Sequence, residues 1–230
     1  MWTLPVSEIE TVSLTNFTGK VACTVFTIGC NLRCRYCYNK SLVLKTEKPV
    51  DIEKIRDKIK TLPLKNIAIT GGEPLLHYSL KDFLYFLKDS GFEIKLDTNG
   101  TFPERLQNIL DKKLIDYVAV DIKAFTDDDF KYITRVDYGC GRVKKSIAIL
   151  KESHIPFEMR YTAWKVPTMD EVSTFFDALP TCKKDTLYVQ KFMASRYLLD
   201  KLFNPDITDE DLSQITEILS NYLTVKIRNI

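Results

Sequence analysis

The chain has 230 residues, 45% apolar and 28% charged, and its 33 basic and 31 acidic residues leave a net charge of +2. That composition suits one large globular domain or two small ones and lacks the overall basic excess typical of a nucleic-acid-binding protein. The longest apolar stretch, Val21 to Gly29, contains two Thr and a Cys and falls far short of a membrane span. Met1-Trp2-Thr3-Leu4-Pro5 lacks the charged region and apolar run of a signal peptide, so a cytoplasmic protein is expected.

Six short runs, mostly rich in Val, Ile, Tyr and Phe, read as strands: 21–28, 66–70, 93–97, 116–122, 157–164 and 186–192. Between them lie helical periodicities. Ile52, Ile55 and Ile59 share one face, as do Leu80, Phe83, Leu84 and Leu87. Pro103 opens a helix carrying Leu106, Ile109 and Leu110. Val143, Ile147 and Leu150 mark another, and Val172, Phe175, Phe176 and Leu179 the next. This alternation predicts an α/β fold with a parallel sheet and right-handed crossovers.

A closed eight-unit barrel takes about 250 residues. Six units therefore predict a partial (β/α)6 TIM-type barrel over residues 20–195, with a short N-terminal extension. A C-terminal αβ tail fills 196–230, all within a single domain. A flat doubly wound sheet is the alternative. Either architecture gathers ligands at the C-terminal strand ends. The segments 29–39, 71–74 and 98–100 fall there.

Three of the six cysteines, Cys30, Cys34 and Cys37, lie within eight residues, while Cys23, Cys140 and Cys182 are scattered. A disulfide framework would pair spread cysteines in a small secreted chain. The tight triplet predicts ligation of iron–sulfur or zinc by soft thiolates. A structural zinc site closes with four protein ligands, and here only three are local; His77 and His154 are remote. Three thiolates on a four-iron cubane leave one iron open. The scattered cysteines form no second triplet and read as buried packing residues.

Other candidates follow successive strands. Gly71-Gly72-Glu73-Pro74 comes directly after the second, where the glycines permit close backbone approach and Pro74 biases Glu73 towards an extended conformation. A plain turn with a solvated Glu is the simpler reading. Asp97-Thr98-Asn99-Gly100 ends the third strand, and Asp121-Ile122-Lys123 ends the fourth. Arg160 stands between Met159 and Tyr161 in the fifth, where an Arg needs a partner.

The C-x3-C-x2-C spacing, with aromatic Tyr36 before the last Cys, resembles the radical S-adenosylmethionine superfamily. The resemblance implies a [4Fe–4S] cluster on Cys30, Cys34 and Cys37 whose open iron binds S-adenosylmethionine. One electron then cleaves the cofactor to methionine and a 5′-deoxyadenosyl radical. The segments GCNLRCRYCYN, TGGEPLL, KLDTNG, DYVAVDIKA and FEMRYTAWKVP, in that order, resemble glycyl-radical-enzyme activases. Within these the likeness is to activating proteins of anaerobic ribonucleoside-triphosphate reductase. By that likeness Tyr36, Gly71, Gly72, Glu73, Asn99, Lys123 and Arg160 bind or orient the cofactor. Asp97, Thr98 and Asp121 would bind a monovalent cation beside it. The substrate would be a glycine of the reductase, and the electron donor a flavodoxin or ferredoxin. Tyr38 stands where His is common in the family, and Thr18 where Pro is common. A radical enzyme acting on a small molecule or an RNA base, and a zinc module without catalysis, are the competing readings.

Overall fold

The computed structural model describes residues 3–180 and 183–228. The start of the N-terminal pentapeptide, Met1-Trp2, and Cys182 lie outside the described residues. Eight strands follow one another in the sheet in chain order. The sheet is open and its pairings are mostly parallel, as expected of a partial barrel. The chain divides into two compact units, one running to Asn31 and including Asn39–Thr98 and Glu104–Val118. The other comprises Leu32–Tyr38, Asn99–Pro103 and the chain from Ala119 onward.

In the first unit Val6–Phe17 (β1) pairs antiparallel with Lys20–Thr27 (β2). Gly19, at φ 76°, makes the turn between them. Along β1 the buried residues are Val6, Ile9, Ser13 and Phe17, while Glu8 and Glu10 sit on or towards the solvent side. The helix Lys40–Val43 (α1) is a single turn. Ile52–Lys60 (α2) starts where the Asp51 carboxylate accepts from the Glu53 amide, and it buries Ile55 and Ile59. Asn66–Gly71 (β3) adds parallel to β2. Leu80–Asp89 (α3) buries all four apolar residues of its stripe. Each contributes about 1.5–3 kcal/mol of burial free energy. Glu93–Thr98 (β4) extends the parallel sheet, and Pro103–Asp111 (α4) follows it.

The unit boundary falls within Tyr117–Ile122 (β5). Asp127–Thr134 (α5) is capped by Thr126, whose hydroxyl accepts from the Asp129 amide, and ends at Arg135 with φ 62°. Cys140–Ser153 (α6) precedes Phe157–Ala163 (β6). A Thr168–Glu171 capping box opens Met169–Phe176 (α7). Thr186–Lys191 (β7) pairs parallel with β6. Asp209–Ser220 (α8) then leads to Thr224–Ile227 (β8), parallel to β7. Phe125, Tyr161, Phe175 and Phe176 form an aromatic core, with ring centroids 5.1 Å apart in the Phe125–Tyr161 and Phe175–Phe176 pairs.

The six expected strands are β2 to β7. The N-terminal extension forms β1, and the αβ tail supplies α8 and β8. Leu179 lies beyond the end of α7. Among the described residues no helix is long and apolar enough to cross a membrane.

Candidate cofactor and cluster site

The cysteine segment begins just after β2. In the first unit, the Gly29 amide donates to Leu42 O at 2.8 Å, with Gly29 at φ 98°. His77 Nε2 lies 2.8 Å from the carbonyl oxygen of Ile28. The carbonyl is an acceptor, so Nε2 carries the proton. Burial lowers the His77 pKa, an effect that the Ile28 bond opposes and the Lys45 and Arg105 charges reinforce. His77 thus remains neutral at neutral pH and anchors the residues that lead into Cys30.

In the second unit the loop carrying Cys34 and Cys37 is held on two sides. The Arg33 and Arg35 amides donate to the carbonyls of Thr134 and Ile133, each at 2.9 Å, at the end of α5. From the segment after β7, the Leu199 amide donates to Cys37 O at 2.9 Å and the Asp200 amide to Arg35 O at 3.0 Å. The Asp200 carboxylate accepts from Arg35 at 2.8 Å and Arg135 at 2.6 Å. Partial desolvation acts against the charge of Asp200, but the Leu202 amide and the two arginines hold its pKa below the ordinary range. The Arg35 guanidinium lies 4.5 Å from the Tyr132 ring centroid. The Tyr38 hydroxyl donates to the Met193 carbonyl. This strap across the cysteine loop was not anticipated from sequence.

None of the described cysteines is in a disulfide. Cys30, Cys34 and Cys37 therefore offer three thiols, the donor chemistry a [4Fe–4S] cluster requires. Cys23 and Cys140 are buried, as expected, and their thiols donate to the carbonyls of Thr11 and Ala124 at 3.2 and 3.4 Å.

The Gly-Gly-Glu-Pro segment is built by close backbone approach. A Cβ on Gly72 would lie 2.0 Å from Gly29 O, and one on Gly71, at φ 107°, 2.5 Å from the Thr27 amide nitrogen. Only glycine fits at either position. The Glu73 amide donates to Gly29 O at 2.8 Å, tying this turn to the residue before Cys30. Glu73 is extended and fully buried, so the simpler reading of a solvated Glu is set aside. Its Oε1 accepts from the Leu75 amide at 3.0 Å and the Thr98 hydroxyl at 2.9 Å.

Asp97, also in the first unit, is ion-paired at 2.8 Å with Lys95, whose side chain is 0% exposed. Lys95 Nζ also donates to Asn16 O at 2.8 Å. The two residues are two apart on one strand and so share a face.

The second unit holds the other candidates. Asp121 Oδ1 accepts from Arg160 Nε at 2.8 Å and Oδ2 from Lys123 Nζ at 2.9 Å. This is the partner that Arg160 required. Burial alone would raise the Asp121 pKa, but Arg160 and Lys123 hold it well below the usual carboxylate range. Burial works against the Lys123 charge, yet the Asp121 carboxylate keeps its pKa well above the ordinary lysine value. The triad is therefore fully ionised, with one positive charge in excess. Lys123 Nζ lies 5.7 Å from the Tyr36 ring centroid. The Tyr36 hydroxyl is buried without a hydrogen-bond partner, and burial pushes its pKa up, so it stays protonated. Asn99 Oδ1 accepts from the amide and hydroxyl of Thr101 at 3.0 and 2.6 Å, which shapes the turn after β4.

Residues 24–179 match the family model of the radical SAM superfamily. A candidate glycyl-radical enzyme activating enzyme of Methanocaldococcus jannaschii is 30% identical over 232 residues, covering 98% of this chain and 96% of that protein. The 7-carboxy-7-deazaguanine synthase of the same organism is 35% identical over 127 residues, 48% of this chain and 49% of that protein. Among solved structures, SuiB of Streptococcus suis bound to S-adenosylmethionine superposes with a TM-score of 0.65 at 14% identity. That superposition covers 88% of this chain and 48% of SuiB. The chain belongs to the radical SAM superfamily, and membership implies a [4Fe–4S] cluster and S-adenosylmethionine.

Proposed function

We propose that this protein is a glycyl-radical-enzyme activase that abstracts hydrogen from one glycine of an anaerobic ribonucleoside-triphosphate reductase. The observation that carries this reading is the end-to-end similarity to the candidate activating enzyme of Methanocaldococcus jannaschii, whereas the similarity to the 7-carboxy-7-deazaguanine synthase stops at half of either chain. Cys30, Cys34 and Cys37 would hold the cluster. The chemistry supplied there would be one-electron reductive cleavage of S-adenosylmethionine, which would make hydrogen abstraction from the substrate possible.

The chain's own residues bind and orient. The excess positive charge of Asp121, Lys123 and Arg160 suits the cofactor's carboxylate, and Asp121 fixes both cations in place. The backbone of Gly71, Gly72 and Glu73 offers carbonyl acceptors to the cofactor's amino group. Buried Glu73 stiffens that turn through Leu75 and Thr98. Tyr36 brings a protonated hydroxyl without an internal partner. Asn99 shapes the turn after β4. A flavodoxin or ferredoxin would deliver the electron.

The test is anaerobic electron paramagnetic resonance on the reconstituted protein with S-adenosylmethionine, reductant and the reductase from the same source. A stable glycyl doublet on the reductase, lost with Cys34→Ala, establishes the activase. A second reading, a small-molecule substrate, draws on the synthase-like half of the chain. It predicts cofactor cleavage with no glycyl signal.

A further inference from the structure

Sequence resemblance gave Asp97, Thr98 and Asp121 to a monovalent cation, and the side chains around them do not fit one. Asp97 is paired at 2.8 Å with the Lys95 ammonium, and the two side chains are 8% and 0% exposed. That ammonium is a single positive charge without access to water, fixed by a second acceptor, the carbonyl of Asn16, at 2.8 Å. Thr98 donates its hydroxyl proton to Glu73 and keeps its oxygen lone pairs, so the misfit lies at the two aspartates. Within the second unit, Asp121 already faces two cations, Lys123 and Arg160. A further positive ion at Asp121 would join a set already one charge in excess. At Asp97 it would have to displace a buried lysine from the carboxylate it is paired with, and separating a buried ion pair is strongly disfavoured.

We infer that Lys95 is the built-in cation of Asp97, supplying from the chain the charge that a bound sodium or potassium ion would bring, so that this enzyme works without a monovalent metal. A strand position supports this arrangement cheaply. Lys95 and Asp97 point to the same face, whereas Ile94 and Leu96 face the other way and are fully buried. No loop has to order for the pair to form. The inference rests on the proposed function only where cofactor binding is measured; the pairing itself is tested separately by thermal stability.

The experiment uses the full-length protein in NaCl, KCl or tetramethylammonium chloride at matched ionic strength. Thermal unfolding is followed in each salt, and S-adenosylmethionine binding to the reconstituted holoenzyme is measured by equilibrium dialysis. At 100 mM, an ion held with a Kd of about 1 mM would raise Tm by roughly 5–10 °C, which sets the sensitivity needed. The wild type is expected to show the same Tm and the same cofactor affinity in all three salts. Lys95→Met removes the ammonium with little change in volume. Its Tm should fall by on the order of 10 °C in tetramethylammonium chloride and recover in part in NaCl or KCl. A wild-type Tm or cofactor affinity that rises with sodium or potassium over tetramethylammonium overturns the inference. So does a folded Lys95→Met protein indifferent to the cation. If Lys95→Met does not fold, the wild-type comparison decides alone. Absence of cofactor binding by the wild type in every salt would defeat the proposed function while the thermal comparison still judged Lys95.

Discussion

The amide of Leu199 donates to the carbonyl of Cys37 at 2.9 Å, so the segment after β7 grips the loop that carries two of the three candidate cluster ligands. Asp200, next along the chain, tightens the grip through Arg35 and Arg135. Both arginines are partly exposed, so Asp200→Ala is expected to cost only about 1–2 kcal/mol of global stability. Its larger effect should fall on the loop. Iron retained after anaerobic reconstitution and desalting should drop while the far-ultraviolet circular dichroism stays native. Wild-type iron retention in the variant would mean that the strap does not hold the cluster loop.

The contact between Gly72 and Gly29 makes a second prediction. Gly72→Ala would drive a Cβ to 2.0 Å from the Gly29 backbone oxygen, which already accepts from the Glu73 amide. The turn must shift, at a cost of about 2–3 kcal/mol or more in chemical denaturation. Gly141→Ala is the control. It lies in α6 with nothing within 4 Å of the added methyl, and should stabilise by about 0.5–1 kcal/mol.

Arg160 and Asp121 give a third. Arg160→Met leaves Asp121 to Lys123 alone and should weaken S-adenosylmethionine binding with little loss of iron; loss of iron instead would assign Arg160 a structural role. The Asp121 pKa is depressed by its two cations. The triad's contribution is therefore present above the ordinary carboxylate pKa of about 3.9 and is lost as pH falls from there through the folded-state value. Arg160→Met should accordingly raise the acid-unfolding midpoint, read by circular dichroism between pH 5 and 2.

His77 controls the opposite range. Its folded-state pKa is lowered, chiefly by burial. Between that value and the unfolded-state value of about 6.5 the unfolded chain binds more protons. Stability is then complete above about pH 6.5 and declines as pH falls through the folded-state pKa. Tm measured between pH 8 and 5 should show this slope, and His77→Gln, which keeps a donor for the Ile28 carbonyl, should flatten it. An unchanged slope would remove His77 as its source.

Most of the fold was legible in the sequence because β2 to β7 are compact apolar runs, and the helices between them carry regular apolar stripes. The strand β1 was not. Its Glu8, Glu10 and Asn16 dilute the pattern, and it becomes a strand through antiparallel pairing with β2. The helix α5 was missed because Asp127, Asp128 and Asp129 mask its periodicity, although Thr126 before three acids is a capping signal. At the site, the cysteine triplet stands out by its spacing, and the other motif residues are singled out by resemblance to the superfamily. The burial of Glu73 was not, since its partner Thr98 is remote in sequence. Nor was the strap, because Leu199 and Asp200 carry no motif and meet the cysteine loop only in the folded chain. Lys95 did leave a signal that went unread: a lysine between Ile94 and Leu96, two residues before an aspartate on the same strand face.

The central claim is that Cys30, Cys34 and Cys37 together hold the cluster that cleaves S-adenosylmethionine. It is tested most directly by reconstituting the wild type and the three single Cys→Ala variants anaerobically, then measuring bound iron and 5′-deoxyadenosine formed with dithionite. The wild type should be brown, hold about four irons and release 5′-deoxyadenosine. Each variant should release none, whereas Cys23→Ala and Cys140→Ala should match the wild type. Production at the wild-type rate by Cys34→Ala, or a colourless wild type carrying one zinc, would contradict the account.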